Sequence, residues 1–261
     1  MSRSSAVLRS AALALGAITL LSARDAAAQF TGIATNGSAA VLDGGSTLQL
    51  TPNLGSQAGS AFFTTPLALD AGTAFTAGFR VSLQGTPTQA DGIALVLQSD
   101  PRGTAALGAG GGAIGYSSSG AITPSVALTL QTYFNNDLAI GTNGQIGNIA
   151  STQMGNLGSR SSNIFDVVLS YGGGVLTATA INAVDAAESY TVSGNVNLAS
   201  VLGPQAYVGF TGGTGANAAD QRILSYGFSV TQATVPEPAT VALLGVGLVG
   251  MAGIAARRRR A

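Results

Sequence analysis

An all-β fold, a sandwich or a barrel, is what this chain predicts, and three observations carry it. Apolar and polar residues alternate in short runs, with little of the helical period. Glycine is abundant, 37 of 261 residues. The runs are bounded by Gly, Asn, Pro and Ser clusters, which end strands and make turns. Many short strands joined by Gly-rich turns are characteristic of sandwiches and barrels. One all-β domain routinely occupies a chain of this length.

The elements follow in order. Strands are predicted at 47–51, 75–83, 92–98, 125–134, 165–171, 175–182, 207–211 and 223–231. In the second, Phe75, Ala77, Phe79, Val81 and Leu83 share one face, and Thr76, Gly78, Arg80 and Ser82 the other. Residues 165–171 and 175–179, joined by Gly172-Gly173-Gly174, predict a hairpin. No repeat of fixed period stands out.

Composition removes whole classes of chemistry. There is no His, Cys or Trp, and all eleven basic residues are Arg. Without His there is no imidazole base, and without Cys no thiol nucleophile, disulfide or ordinary zinc site. Without Lys there is no Schiff base and no phosphate-loop lysine. The zero net charge hides a segregation: between residues 29 and 234 four Arg face nine acidic residues, about −5. That balance disfavours nucleic acid as a partner.

The two ends read as addresses. Residues 1–28 carry Arg3 and Arg9, an apolar stretch from Ala11 to Leu21, and Ala26-Ala27-Ala28. This is the layout of a secretory signal helix, with signal peptidase leaving a new N-terminus near Gln29. At the other end, residues 233–261 hold Pro236-Glu237-Pro238, an uncharged stretch over 239–256, and Arg257, Arg258, Arg259 and Arg260. Eighteen helical residues span about 27 Å, enough for a membrane's hydrocarbon core, with the Arg cluster on the cytoplasmic side. This tripartite tail resembles the PEP-CTERM sorting signal of Gram-negative, exopolysaccharide-producing bacteria. The resemblance implies export, a transient inner-membrane anchor, recognition by an exosortase, and release or transfer to the cell surface or extracellular matrix. A permanent single-span anchor is the other reading of the same tail.

The middle, 29–232, has segments whose order is also familiar. Phe30, Asn36-Gly37-Ser38-Ala39, Leu48-Gln49-Leu50-Thr51 and Gln57-Ala58-Gly59-Ser60-Ala61 come first. Ala90-Asp91-Gly92-Ile93-Ala94-Leu95-Val96-Leu97-Gln98, a Gly-rich loop at Gly110-Gly111-Gly112, and Ser125 through Asn135 follow. Tyr207-Val208-Gly209-Phe210-Thr211-Gly212 and Ile223-Leu224-Ser225-Tyr226-Gly227-Phe228 close the series. In this order the segments resemble a legume-type (L-type) lectin. The resemblance implies a concanavalin A-like β-sandwich of a flat and a curved antiparallel sheet. It further implies dimerisation through the flat sheet, so that a second copy of the chain is among the expected partners.

What the resemblance implies for the site can be placed residue by residue. Asp91, Gly112, Tyr133 and Asn135 stand at the family's sugar-binding positions, with a cis peptide at Ala90-Asp91. Residues 212–220 match the variable loop that tunes sugar choice, with Asn217 and Asp220 as candidate contacts. Sugar hydroxyls donate to a fixed carboxylate and accept from N–H groups, while a C–H face packs on an aromatic ring. Each residue alone also has an ordinary role: Asp91, Gly112 and Asn135 in turns, Tyr133 in a core.

The metal positions depart from the family, because Thr129 and Gln131 stand where acids are usual. A transition-metal site is therefore not expected. Calcium is expected to be weak at most, at Tyr133, Asn135 and Asp137, since it favours six to eight oxygens with carboxylate charge among them.

Function is accordingly expected to be non-catalytic binding of exopolysaccharide or another glycan. The alternative is an envelope or matrix scaffold with a degenerate lectin fold. Glycoside hydrolysis needs two carboxylates flanking one bond, and Glu188 is the only Glu of the middle domain.

Overall fold

The structure, a computed structural model, describes residues 30–232 apart from 86, 87, 134 and 161. The expected signal helix and sorting tail lie outside the described residues. Among the described residues no helix is long and apolar enough to cross a membrane.

In chain order the first strands are β1 (Ile33–Gly37), β2 (Ala40–Leu42), β3 (Thr47–Thr51), β4 (Ala58–Phe63) and β5 (Leu67–Ala68). Next come β6 (Thr73–Gln84), β7 (Gly92–Gln98), β8 (Ser125–Gln131), β9 (Asp137–Thr142) and β10 (Ala150–Gln153). The last are β11 (Ser162–Gly172), β12 (Val175–Asn182), β13 (Ser189–Asn195), β14 (Gln205–Gly213) and β15 (Asp220–Gln232). A short helix, α1 (Leu198–Leu202), precedes β14 and is capped by the Asn197 side chain accepting from the Ser200 N–H.

These strands form a two-sheet sandwich. One sheet runs β1-β4-β14-β7-β8-β9-β10 with β5 added beside β14, and the other runs β13-β12-β11-β6-β15-β3-β2. Every predicted strand is present. The 165–179 hairpin forms as β11–β12, with Tyr171 opposite Leu176. Strand 125–134 is shorter than expected: β8 ends at Gln131, and the residues after it turn towards β9.

The main core lies between the sheets and follows the alternation. Phe75, Ala77, Phe79, Val81 and Leu83 are each at most 1% exposed, while Arg80 faces solvent. Each fully buried side chain of the Leu or Phe kind contributes about 1.5–3 kcal/mol. Phe210 of β14 meets Phe79 and Tyr226 edge-on across the sandwich, each at 5.3 Å between ring centroids.

β7 breaks the alternation, and the exception positions the site. Its seven residues are all buried, as a strand covered on both faces requires. Ile93, Leu95 and Leu97 enter the main core. Ala94 and Val96 face the other way, into a second core with Phe62, Ala106, Ile114, Tyr116, Ile122 and Ala127. Segment 102–122 thus lies over the outer face of the first sheet. The buried Tyr116 hydroxyl is 2.9 Å from Ser125 Oγ and accepts from the Gly144 N–H at 3.1 Å. That bond fixes the far side of the Gly-rich loop to the sheet beneath it.

Candidate sugar-binding site

Asp91 lies at the entry to β7, on the cis Ala90–Asp91 peptide. Gly92 follows with φ +145°, and a Cβ there would run into the Leu130 carbonyl of β8. Glycine is therefore required immediately after the aspartate. The Asp91 N–H donates to the Gly213 carbonyl at 2.9 Å, and its own carbonyl accepts from the Thr132 N–H at 2.9 Å. Gln221 lies underneath, its Nε2 donating to the Gly213 and Ala90 carbonyls at 3.0 and 3.3 Å.

Asp91 is 4% exposed, and its carboxylate Oδ2 has no hydrogen-bond partner among the described residues. Burial pushes its pKa above the ordinary aspartate value, and the Gly215 backbone N–H pulls the other way. Among the described residues no arginine neutralises it. Each of the four arginines of the described domain is paired bidentately elsewhere: Arg80 with Asp166, Arg102 with Asp100, Arg160 with Glu188 and Arg222 with Asp220.

Three segments meet around Asp91. The Gly-rich loop is tied to the last loop by the Gly111 N–H, which donates to the Thr214 carbonyl at 3.0 Å. Thr214 in turn receives the Gln57 N–H on its hydroxyl at 3.0 Å. Within the Gly-rich loop, Gly111 and Gly115 take positive φ, and a Cβ at Gly115 would lie 2.7 Å from the Gly212 carbonyl oxygen. Gly112 is different: it is exposed, and a Cβ there meets nothing within 4 Å. The turn does not need glycine at that position.

The third segment follows β8. Asn135 is exposed and donates from Nδ2 to Gln131 Oε1 at 3.0 Å, while Gln131 Nε2 donates to the Gly112 carbonyl at 3.1 Å. Gln131 is itself buried and lies opposite Gly92 in the β7–β8 register. Tyr133 is half-buried, and its carbonyl accepts from the Asn135 N–H at 2.9 Å. Asn136, at φ +48°, accepts the Leu157 and Gly158 N–H groups on Oδ1 at 3.0 and 3.3 Å.

The fold therefore links Asp91, Gly112 and Asn135 through Thr132 and Gln131, with Tyr133 on the same segment. Asn217 is half-buried further along the last loop. Asp220 has another employment: it pairs with Arg222 and accepts from Gln49 Nε2 at 2.9 Å. The residue expected as a loop contact thus also forms an ion pair at the start of β15. Gln221 was not recognisable as a site residue from sequence, and Gln131 was marked only as a departure from the metal positions. The signal for Gln131 was a buried polar residue ending the apolar run of β8.

Metal chemistry can be tested on the same residues. Thr129 Oγ1 donates to the Ala139 carbonyl at 3.4 Å, and both ends of the Gln131 amide are engaged. With no His, these residues do not fit a transition metal. Among the described residues no three of His, Cys, Asp and Glu are grouped to hold an ion. Asp137 is 5% exposed with Oδ1 unpartnered, and burial raises its pKa against its own N–H. Of the residues expected to hold calcium (Tyr133, Asn135 and Asp137) it is the only carboxylate, too little charge for tight calcium.

Comparison with known proteins adds relatives to this geometry. Residues 26–243 match the model of the legume lectin domain, and residues 234–260 match that of the PEP-CTERM protein-sorting motif. A lectin from Bauhinia forficata, solved in complex with GalNAc, is similar at 26% identity and TM-score 0.66, covering 77% of this chain and 93% of that one. Lectin I-B4 from Griffonia simplicifolia, in a metal-free form, has 25% identity, TM-score 0.66 and the same coverages. Arcelin-5, a lectin-like defence protein from Phaseolus vulgaris, has 19% identity and TM-score 0.66, again over 77% and 93%. The last likeness shows the fold alone.

Proposed function

This chain belongs to the legume lectin domain family, and from that premise we propose that it is an exported, non-catalytic glycan-binding protein. The supporting observation is the buried Asp91 carboxylate, with an oxygen that no described protein group satisfies, at the meeting point of three loops. A buried unpartnered acceptor costs about 1–3 kcal/mol; a sugar hydroxyl donating to it would recover that cost. In this reading the Gly112 backbone and the Asn135 amide complete the polar contacts. The Tyr133 ring supplies the surface for a C–H face, and Asn217 contributes to choice among sugars.

Affinity for a free monosaccharide is expected near the millimolar range and is raised by avidity on a polymer. Bacterial exopolysaccharide is the glycan that best fits the sorting motif. The route is export past signal peptidase, a transient inner-membrane stay and handling by an exosortase, ending at the cell surface or matrix. Calcium binds weakly at Tyr133, Asn135 and Asp137 and contributes little.

Catalysis is not part of this reading. Glu188 is gripped by Arg160 at 2.7 and 2.8 Å and by Asn182 Nδ2 at 2.8 Å. The Arg160 and Asn182 hydrogen bonds hold its pKa below the ordinary value, the opposite of what a general acid needs.

The test is a glycan array that includes bacterial polysaccharides, probed with purified protein and with Asp91→Ala, with calcium and with chelator. Binding that disappears in the variant supports the lectin reading. A well-folded protein that binds nothing in any condition sinks it and leaves the matrix-scaffold reading, which the neutral Thr129 and Gln131 favour.

A further inference from the structure

We propose that the Gln131 side-chain amide, in place of a metal ion, holds the Gly112 and Asn135 loops in the geometry that a glycan meets. The inference rests on the glycan-binding reading of this site and adds a positioning residue to it. Gln131 Nε2 donates to the Gly112 carbonyl at 3.1 Å, and Gln131 Oε1 accepts from Asn135 Nδ2 at 3.0 Å. One end of the amide therefore holds each loop. The two loops are separated by more than twenty residues of sequence, and Gln131 stands between them.

The chemistry of the bridge is specific. It needs a donor at one end and an acceptor at the other, and an amide carries both on separate atoms without charge. A Glu at 131 would present an oxygen to the Gly112 carbonyl, and a Met would present nothing. The amide is also well anchored. Gln131 is 5% exposed, pairs with Gly92 in the β7–β8 ladder, and precedes Thr132, whose N–H binds the Asp91 carbonyl. Asp91 and the two loops are thus referred to Gln131 and Thr132, at the end of β8.

The bridge also bears on metal dependence. An ion drawing on Gln131 Oε1 would have to displace Asn135, and Nε2 cannot ligate a cation. The bridge commits one of the two Asn135 Nδ2 hydrogens. The second hydrogen and Oδ1 are the amide's remaining capacity for a sugar hydroxyl. A site whose loops are ordered by protein hydrogen bonds keeps its shape when metal is removed.

The experiment uses the full-length protein, Gln131→Met, Gln131→Glu and Asp91→Ala, each in chelator and in calcium. Two quantities are read: affinity for the best polysaccharide on the array, and amide hydrogen exchange in residues 110–115, in 132–136 and in the core strands β6 and β11. The wild type should bind equally, within about twofold, in chelator and calcium. Gln131→Met and Gln131→Glu should each lose about tenfold in affinity. Exchange should speed up in the two loops and stay unchanged in β6 and β11, which separates lost positioning from general destabilisation. Asp91→Ala should lose binding while both loops stay protected. Wild-type binding or loop protection that collapses in chelator would overturn the proposal, as would wild-type affinity or loop protection in both Gln131 variants. If the wild type binds no glycan, the function reading fails by itself. The exchange data then decide the bridge, which stands only if the loops loosen in the Gln131 variants and not in chelator.

Discussion

Arg102 turns back on Asp100, two residues before it, and grips the carboxylate through Nε at 2.8 Å and one terminal nitrogen at 2.7 Å. The same guanidinium donates to the Leu107 and Ala121 carbonyls at 3.1 and 3.0 Å. One side chain thereby gathers both limbs of the segment that carries Gly112. Arg102→Ala should lower the melting temperature by several degrees, since about 1–2 kcal/mol of hydrogen bonding to a charged group is lost. It should also weaken glycan binding several-fold, because Gly112 loses its support. Thermal melts and array affinities on one sample check both.

Acid should act on the same pair. Burial alone would raise the Asp100 pKa, but hydrogen bonds from Arg102 and the Thr123 N–H outweigh it and hold the carboxyl at about 2. The folded value lies below the unfolded one, near 3.9. The ionised form therefore stabilises the fold fully above about pH 4, and the contribution fades as the pH falls towards 2. Melting temperature against pH should drop across that window in the wild type and less steeply in Asp100→Asn.

Asp91 has the opposite sign. Its folded pKa is raised by burial, so the ionised form is penalised in the fold. The penalty is present at neutral pH and absent below the unfolded value. Asp91→Asn should therefore melt no lower than the wild type at pH 7, while losing glycan binding by tenfold or more. Wild-type binding should also begin to fall, on acidification, at a higher pH than an ordinary aspartate would dictate. Binding and melting curves over pH 3–8, an interval chosen about the reference aspartate value, test both expectations.

The glycines separate fold from function. Gly112→Ala meets open space and should melt within a degree or two of the wild type, yet reduce glycan affinity. Gly92→Ala places a Cβ against the Leu130 carbonyl at φ +145°, and Gly115→Ala places one 2.7 Å from the Gly212 carbonyl. Both should cost several kcal/mol, and the yield of soluble protein should fall. Equal behaviour of all three variants would remove Gly112 from the site.

Much of the fold was legible because it is written locally. β6, β7, β11 and β12 announce themselves by alternation or by unbroken apolar runs, and the glycines of the 172–174 turn join the last two. Sequence missed β4 and β9, six-residue strands that are mostly buried, and it missed strands that are short or polar. β10 (Ala150–Gln153) has no buried residue, and β13 (Ser189–Asn195) buries only Val192. Each lies at the edge of its sheet, where a strand needs few apolar side chains.

The sequence by itself determined the class of fold, the absence of imidazole and thiol chemistry, and the sorting motif. All of these depend on residue type and near neighbours. Only the tertiary structure decided which polar groups meet. It spent Asp220 on Arg222 and Gln49, left the Asp91 and Asp137 carboxylates buried without an arginine, and set Gln131 between Gly112 and Asn135. Those outcomes follow from the strand order β14-β7-β8-β9 and the loops folded over it. Hydrogen bonds reach about 3 Å, and sheet order, set by cooperative burial across the whole sandwich, decides which distant residues come within that reach.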